Sequence, residues 1–205
     1  MISPQFAAEP DTVAAESLGL TCTTVESADA LQAGGYELAP SFRDSVARLQ
    51  DRLRHGCVVF LAHRPRAGGA GQEVIGYSLS ERGVFSALGR REKISPNILF
   101  NHYMEVLPQY RGLRVTGLLW RAEWEYCRVH GMTKRYTVVL PANVPAMRSS
   151  LRVGLLIVGT VTRVSAFRGL WVWETPWERI EQALSAEEPL PVHYRLLKEG
   201  GGGSV

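Results

Sequence analysis

Apolar residues recur along this chain at two different spacings, and the change from one to the other lays out the elements. In SFRDSVARLQDRLRHG (41–56), Phe42, Val46, Leu49 and Leu53 keep a helical period, Ser41 stands at the cap position and Gly56 follows the end, which predicts a helix. CVVFLAHRP (57–65) is an unbroken apolar run and predicts a buried strand. RAGGAGQ (66–72) then reads as a hairpin loop, because no helix follows its glycines to make a phosphate cradle, and EVIGYSLSE (73–81) is the returning strand. ILFNHYMEVLP (98–108) predicts a strand ended by Pro108. Beyond it Val115, Leu118, Leu119, Ala122, Tyr126 and Val129 fall on one helical face that Gly131 closes.

KRYTVVLP (134–141) predicts another strand, and 143–154 a short helix with Asn143 as cap and Pro145 in its first turn. Segments 155–167 and 169–175 form an antiparallel pair on this pattern, and 176–185 a small helix. At the front, 18–27 holds β-branched residues suited to a first strand, and 1–17 reads as a flexible lead-in. The stretch 83–97 is irregular and basic, and 186–205 is a tail whose EGGGGSV end is linker-like. The order of elements implies an α/β arrangement around a mixed sheet, built as a single domain over 18–185.

Composition narrows the classes. A chain of 205 residues, 45% hydrophobic and 21% charged, suits a globular domain with a full core. The net charge of +3 is too small for the basic face a nucleic-acid binder needs. Cys22, Cys57 and Cys127 are an odd, scattered set with neither disulfide nor zinc spacing, which fits reduced thiols in the cytoplasm and no metal. No apolar run reaches the length of a membrane span, and the first residues lack the basic and apolar regions of a secretory signal.

The chemistry concentrates at LPQYRGLRVTGLLW (107–120), where Arg111, Gly112 and Arg114 stand between a strand and a helix. A helix start carries unpaired N–H groups and a partial positive charge, so this point is suited to an anion such as a phosphate. The preceding strand offers His102 and Glu105 as proton acceptors. Strict alternation places Asn101, Tyr103 and Glu105 on one face and His102, Met104 and Val106 on the other. His55, His63, His130 and His193 fall near element ends, where they read as solvated. Trp120 and Trp124 lie off the main apolar stripe and, with Trp171 and Trp173, suit core packing, an aromatic acceptor pocket or a dimer contact.

EVLPQYRGLRVTGLL resembles the cofactor-binding segment of the GNAT (GCN-five-related N-acetyltransferase) superfamily, with Val106, Pro108, Tyr110, Arg111, Gly112, Val115, Leu118 and Leu119 in register. VLPANVPAMRSSLRVGLLIVG is similar to a later segment of that family through Asn143, Ala146, Gly154 and Leu155, so the resemblance spans about 41–175. It implies an α+β fold with a mostly antiparallel central sheet of six to seven strands, helices on both faces and a splayed strand pair. It also implies transfer of an acyl group from acetyl-CoA or another acyl-CoA to a small amine or protein amine, directly in a ternary complex and without a metal. The cofactor would be bound by Val106, Leu107, Pro108, Arg111, Gly112, Leu113, Arg114, Val115, Thr116, Gly117 and Asn143.

His102 occupies a slot similar to that of the catalytic histidine in serotonin N-acetyltransferase-like members, with Glu105 the second candidate base. Two departures stand out. Arg114 and Thr116 replace a glycine and a small residue, and Ser150 replaces the tyrosine that protonates the leaving thiolate. Two alternatives stay open beside the acyl-CoA enzyme. One is an acyltransferase fed by an acyl carrier protein, for which RREK (90–93) is a basic contact. The other is a catalytically degenerate CoA-sensing or interaction module. No nucleic acid or membrane partner is expected, and a homodimer stays open.

Overall fold

The structure, a computed structural model, describes residues 12–68, 70–87, 90–140, 142–152, 161–166 and 169–174. The chain divides into two compact units, one ending at Gly154 and one beginning at Leu155. The second unit holds an antiparallel pair, Val161–Ala166 and Gly169–Glu174, as the sequence predicts. The helix expected over 176–185 lies outside the described residues.

The first unit runs α1 (Val13–Ser17), β1 (Thr21–Val25), α2 (Ala28–Ala33), β2 (Tyr36–Glu37), α3 (Val46–Arg54), β3 (Cys57–Pro65) and β4 (Gln72–Arg82). It continues with β5 (Val84–Ala87), β6 (Arg90–Lys93), β7 (Ile98–Val106), α4 (Val115–Val129), β8 (Lys134–Thr137) and α5 (Val144–Arg152). A six-stranded sheet carries the order β1-β3-β4-β7-β8, with β2 also on β4. Its pairs are antiparallel except β2 with β4 and β7 with β8. The mixed, mostly antiparallel sheet is therefore the expected one.

The sheet is covered on both faces because β3 and β4 are apolar on both. Val59, Leu61, Tyr77 and Leu79 pack with Leu49 and Leu53 of α3. On the opposite face Phe60 meets Tyr126 of α4 edge-on at 5.7 Å. Each such side chain contributes about 2 kcal/mol by leaving water, so the two cores fix the sheet as a rigid support.

Several boundaries differ from expectation. The helix predicted from Ser41 begins at Val46, and Ser45 is its cap, accepting from the Arg48 amide at 3.3 Å. Phe42 keeps helical spacing but is held in an irregular segment by its ring contact with Tyr77 at 5.2 Å. The excursion expected over 83–97 contains the β5–β6 hairpin, anchored by Phe85 against Phe100 at 4.9 Å. The end of the lead-in forms α1, with Ala15 fully buried and Arg121 donating to Thr12 at 3.0 Å. In α4 the buried stripe is rotated from the predicted one: Trp120, Glu123 and Cys127 are inside, whereas Val129 is 65% exposed. His63 is buried rather than solvated, bridging Thr23 at 2.9 Å and Gln72 at 3.0 Å, and burial holds its pKa below 6.5.

Candidate active site

β7 and β8 run parallel for four residue pairs only, from Ile98–Lys134 to Asn101–Thr137. β7 continues to Val106 without β8, while staying paired with β4 as far as Gly76–Val106. The two strands therefore part beyond Asn101, as a splayed pair should. The Leu107 amide donates to Ile75 on the β4 side at 3.0 Å. Alternation then turns the Met104 and Val106 peptide groups toward the open side. Among the described residues no strand pairs with β7 on that side beyond Asn101, so an extended amide-bearing chain laid in the gap would meet ladder groups other than the Val106 carbonyl, which Arg111 holds. Val138 and Leu140, which follow β8, are 37% and 63% exposed.

Gly76 brings the end of β7 close to α4. A Cβ on it would fall 2.9 Å from the Glu105 carbonyl oxygen and 3.3 Å from Val115 Cγ1. From Val106 the chain passes through buried Leu107, a 3-10 turn at Pro108–Tyr110 and the turn 111–114 into α4. Gly112 and Arg114 both take left-handed backbone, with φ of 82° and 61°. Among the described residues Arg114 is the one non-glycine with positive φ, which costs about 1 kcal/mol. Position 114, where the sequence resemblance expects a glycine, thus has backbone that suits glycine, with an arginine occupying it.

No side chain caps α4. The amides of Val115, Thr116 and Gly117 have no carbonyl one turn before them. They are flanked by exposed Arg111 and Arg114, with Leu113 half-buried between. Arg111 also donates from Nε to the Val106 carbonyl at 3.3 Å, tying the turn to the open strand edge.

The register of β7 overturns the alternation read from sequence. Tyr103 lies opposite Leu79 and Asn101 opposite Ser80, so His102 is an extra residue, a β-bulge. It turns His102 to the α3 face, with Tyr103 and Glu105, whereas Asn101 faces α4. The imidazole Nε2 lies 3.2 Å from Glu81 Oε2, and the ring stands edge-on to Phe100 at 5.3 Å. Arg91 of β6 forks onto Glu81, at 2.8 Å from Nη1 to Oε2 and 2.5 Å from Nη2 to Oε1. Burial pulls the His102 pKa below 6.5, and the Glu81 charge partly opposes that. Glu105, further along β7, accepts from the Arg43 amide at 3.0 Å, and the Arg43 guanidinium lies 4.9 Å above the Tyr103 ring.

Cys57 Sγ, a Glu81 oxygen and a His102 nitrogen lie within 4.8 Å of one another, a set that has the atoms of a metal site. Its electrostatics argue otherwise. Both Glu81 oxygens already carry the Arg91 fork, and burial holds the Cys57 thiol protonated, its pKa pushed up to about 11.

Asn143 caps α5, its Oδ1 accepting from the Ala146 amide at 3.3 Å. Ser150 on α5 is buried. Sequence reading missed Glu123, which is wholly buried on α4. It accepts from Ser80 at 3.3 Å, from Asn101 Nδ2 at 2.9 Å, and from Ser78 Oγ and Arg135 Nε. An acidic residue between Leu119 and Cys127 on a buried stripe was the available signal. Arg135 lies 5.0 Å over the Trp120 ring, so that tryptophan is core.

No protein-family model matches the chain, and no curated protein matches it. Among solved structures it is similar to the aminoglycoside acetyltransferase AAC(6')-Iy in complex with a CoA bisubstrate analogue, at 19% identity and TM-score 0.49 over 73% of this chain and 97% of that one. It is also similar to the aminoglycoside acetyltransferase meta-AAC0020 from an uncultured soil metagenomic sample in complex with sisomicin, at 11% identity and TM-score 0.47, covering 76% and 99%. A third similar structure is the ribosomal-protein-alanine N-acetyltransferase of Brucella melitensis biovar Abortus 2308, at 10% identity and TM-score 0.47, covering 72% and 99%.

Proposed function

We propose that this chain is an acyl-CoA-dependent N-acyltransferase of the GNAT kind, moving an acetyl or other acyl group to a primary amine in a ternary complex. One observation carries the reading: a strand that loses its β8 partner at Asn101 runs on through a left-handed turn into an uncapped helix start. The free edge suits the two amides of a pantetheine arm. The turn and helix start suit a diphosphate, because oriented amides and the helix dipole act on the same charge. A linear molecule with a diphosphate at one end and a thioester at the other matches both.

In this scheme the pantetheine arm pairs with the peptide groups of Met104 and Val106. The diphosphate sits on the amides of Val115, Thr116 and Gly117, with Arg111 and Arg114 adding charge. Leu107 and Pro108 shape the wall, and Gly112 with Leu113 sets the turn. Asn143, which caps the start of α5, is the remaining cofactor-binding residue of the scheme. The thioester then lies near the bulge, within reach of His102.

His102 removes the proton. The acceptor amine, protonated in water, gives one proton to the imidazole and attacks the thioester carbon. The C–N bond forms, the C–S bond breaks, and the thiolate takes up a proton, so amide, thiol and one released proton balance the reaction. Glu105 holds the incoming ammonium group on the same face. The Ser150 hydroxyl hydrogen-bonds the departing sulfur, being a weaker acid than a phenol.

Thermal shift with acetyl-CoA, followed by thiol release with a panel of amines, tests the proposal. Stabilisation by acetyl-CoA and amine-dependent thiol release are expected. Stabilisation only by a carrier-bound acyl group, or no response to any donor, overturns it.

A further inference from the structure

We propose that Glu81, clamped by Arg91 of the β5–β6 hairpin, is the positioning residue for His102, fixing its proton on Nε2 and leaving Nδ1 as the base. This rests on the transferase reading and adds to it a residue pair that no cofactor motif contains. Glu81 lies on β4, one strand away from the open edge, and is 4% exposed. A carboxylate that accepts the Nε2 proton decides the tautomer of a neutral imidazole and aims its other nitrogen.

His102 is the extra residue of the bulge. It lies on the face opposite to Asn101, the α3 face, where Glu81 stands opposite Phe100 in register. Arg91 does the same for Glu81 as Glu81 does for His102. Its fork occupies both carboxylate oxygens and fixes their plane. The hairpin that carries Arg91 is seated on β7 through Phe85 and Phe100. An arginine from one inserted hairpin, a carboxylate from β4 and an imidazole from the bulge thus form one chain of contacts.

The groups that face the imidazole are Glu81 from β4, Arg91 from β6, Arg52 from α3 and Cys57 from β3. Glu81 is the one anion among them. Without it, burial and two guanidinium groups act alone on His102, and the base weakens.

Two measurements test the assignment, and cobalt and acetyl-CoA titrations test its premises. The first is the imidazole 15N spectrum of the wild-type protein near pH 7.5, which reads the tautomer without any turnover. A proton on Nε2 of His102 is expected, and a proton on Nδ1 overturns the proposal. The second is the pH profile of kcat/KM for Glu81→Gln, with folding checked by circular dichroism. Loss of about 10- to 100-fold in kcat is expected, with KM for acetyl-CoA unchanged and the acid limb moved to lower pH. Glu81→Asp should restore part of the rate. An unmoved acid limb in Glu81→Gln overturns the proposal while wild-type turnover leaves the transferase reading standing. If Co2+ instead gives a thiolate charge-transfer band that Cys57→Ser abolishes, the trio is a metal site and the proposal fails. Absence of acetyl-CoA binding to the wild type removes the transferase reading itself, whatever the tautomer.

Discussion

Two buried carboxylates sit on opposite faces of the same strand pair, each with an arginine, and they are built for different ends. Glu123 is fully enclosed beneath β4, β7 and β8, its partner Arg135 has a side chain only 6% exposed, and serine and asparagine groups complete its shell. Glu81 is nearly as deep, yet its arginine is 54% exposed on a hairpin, and its remaining neighbours are a histidine and a thiol. Surroundings separate them. The Glu123–Arg135 pair is closed off from water, even leaving Arg135 Nη1 buried without a hydrogen-bond partner, and serves to hold structure together, whereas a pair with a titratable neighbour and a partner reaching in from the surface can also tune chemistry.

Removing a partner should separate the two most sharply. Glu123→Ala strands Arg135 in the interior and should cost about 3–5 kcal/mol, read as a lower urea midpoint or a failure to fold. Glu81→Ala leaves Arg91 free to return to water, so its loss in the same titration should be much smaller. A larger loss at Glu81 would reverse the comparison.

His102→Ala comes next. The rate should fall by roughly 100-fold near neutral pH and by less at alkaline pH, where the acceptor amine loses its proton unaided. An unchanged pH–rate profile in that variant would remove His102 from the mechanism.

A third prediction concerns Arg114. Arg114→Gly should raise stability by up to about 1 kcal/mol by relieving left-handed backbone while weakening acetyl-CoA binding several-fold. Thermal melts with and without acetyl-CoA read both. Tighter binding in Arg114→Gly would show that the guanidinium obstructs the diphosphate instead of holding it.

The smallest effect is on the pH dependence of stability. His63 and His102 are both held below the ordinary 6.5 by burial. The folded protein then takes up their protons less readily than the unfolded chain. The stability linked to their neutral forms is complete above pH 6.5 and is lost as pH falls through the folded values. Urea midpoints at pH 7.5 and 5.5 should differ by less in His63→Gln than in the parent.

How much of this was legible in the chain follows from which forces were local. The β3 and β4 runs, the strand into 98–106 and the helix start at Val115 were readable because period and turn chemistry agree there. The true start of α3 was not, since Phe42 has helical spacing and only its packing on Tyr77 shows that it lies outside the helix. The β5–β6 hairpin was hidden by its basic residues, although Phe85 is what secures it. The face of His102 depended on a bulge, which one inserted residue creates without any change in composition. Glu123 carries no motif, and its burial is set by partners on three strands, β4, β7 and β8. The site's backbone was therefore readable, and its electrostatic partners, drawn from distant segments, were not.

The short parallel seam between β7 and β8 ends with Thr137 donating to Asn101 Oδ1 at 3.2 Å, while Arg135, two residues earlier, anchors β8 to Glu123. That fastening sets the depth of the fork. Five residues of β7 remain unzipped beyond it, a bay roughly 16 Å long at about 3.3 Å per residue. One more rung would shift its inner end past the bulge, so a buried ion pair on the far face fixes where along β7 the open edge begins.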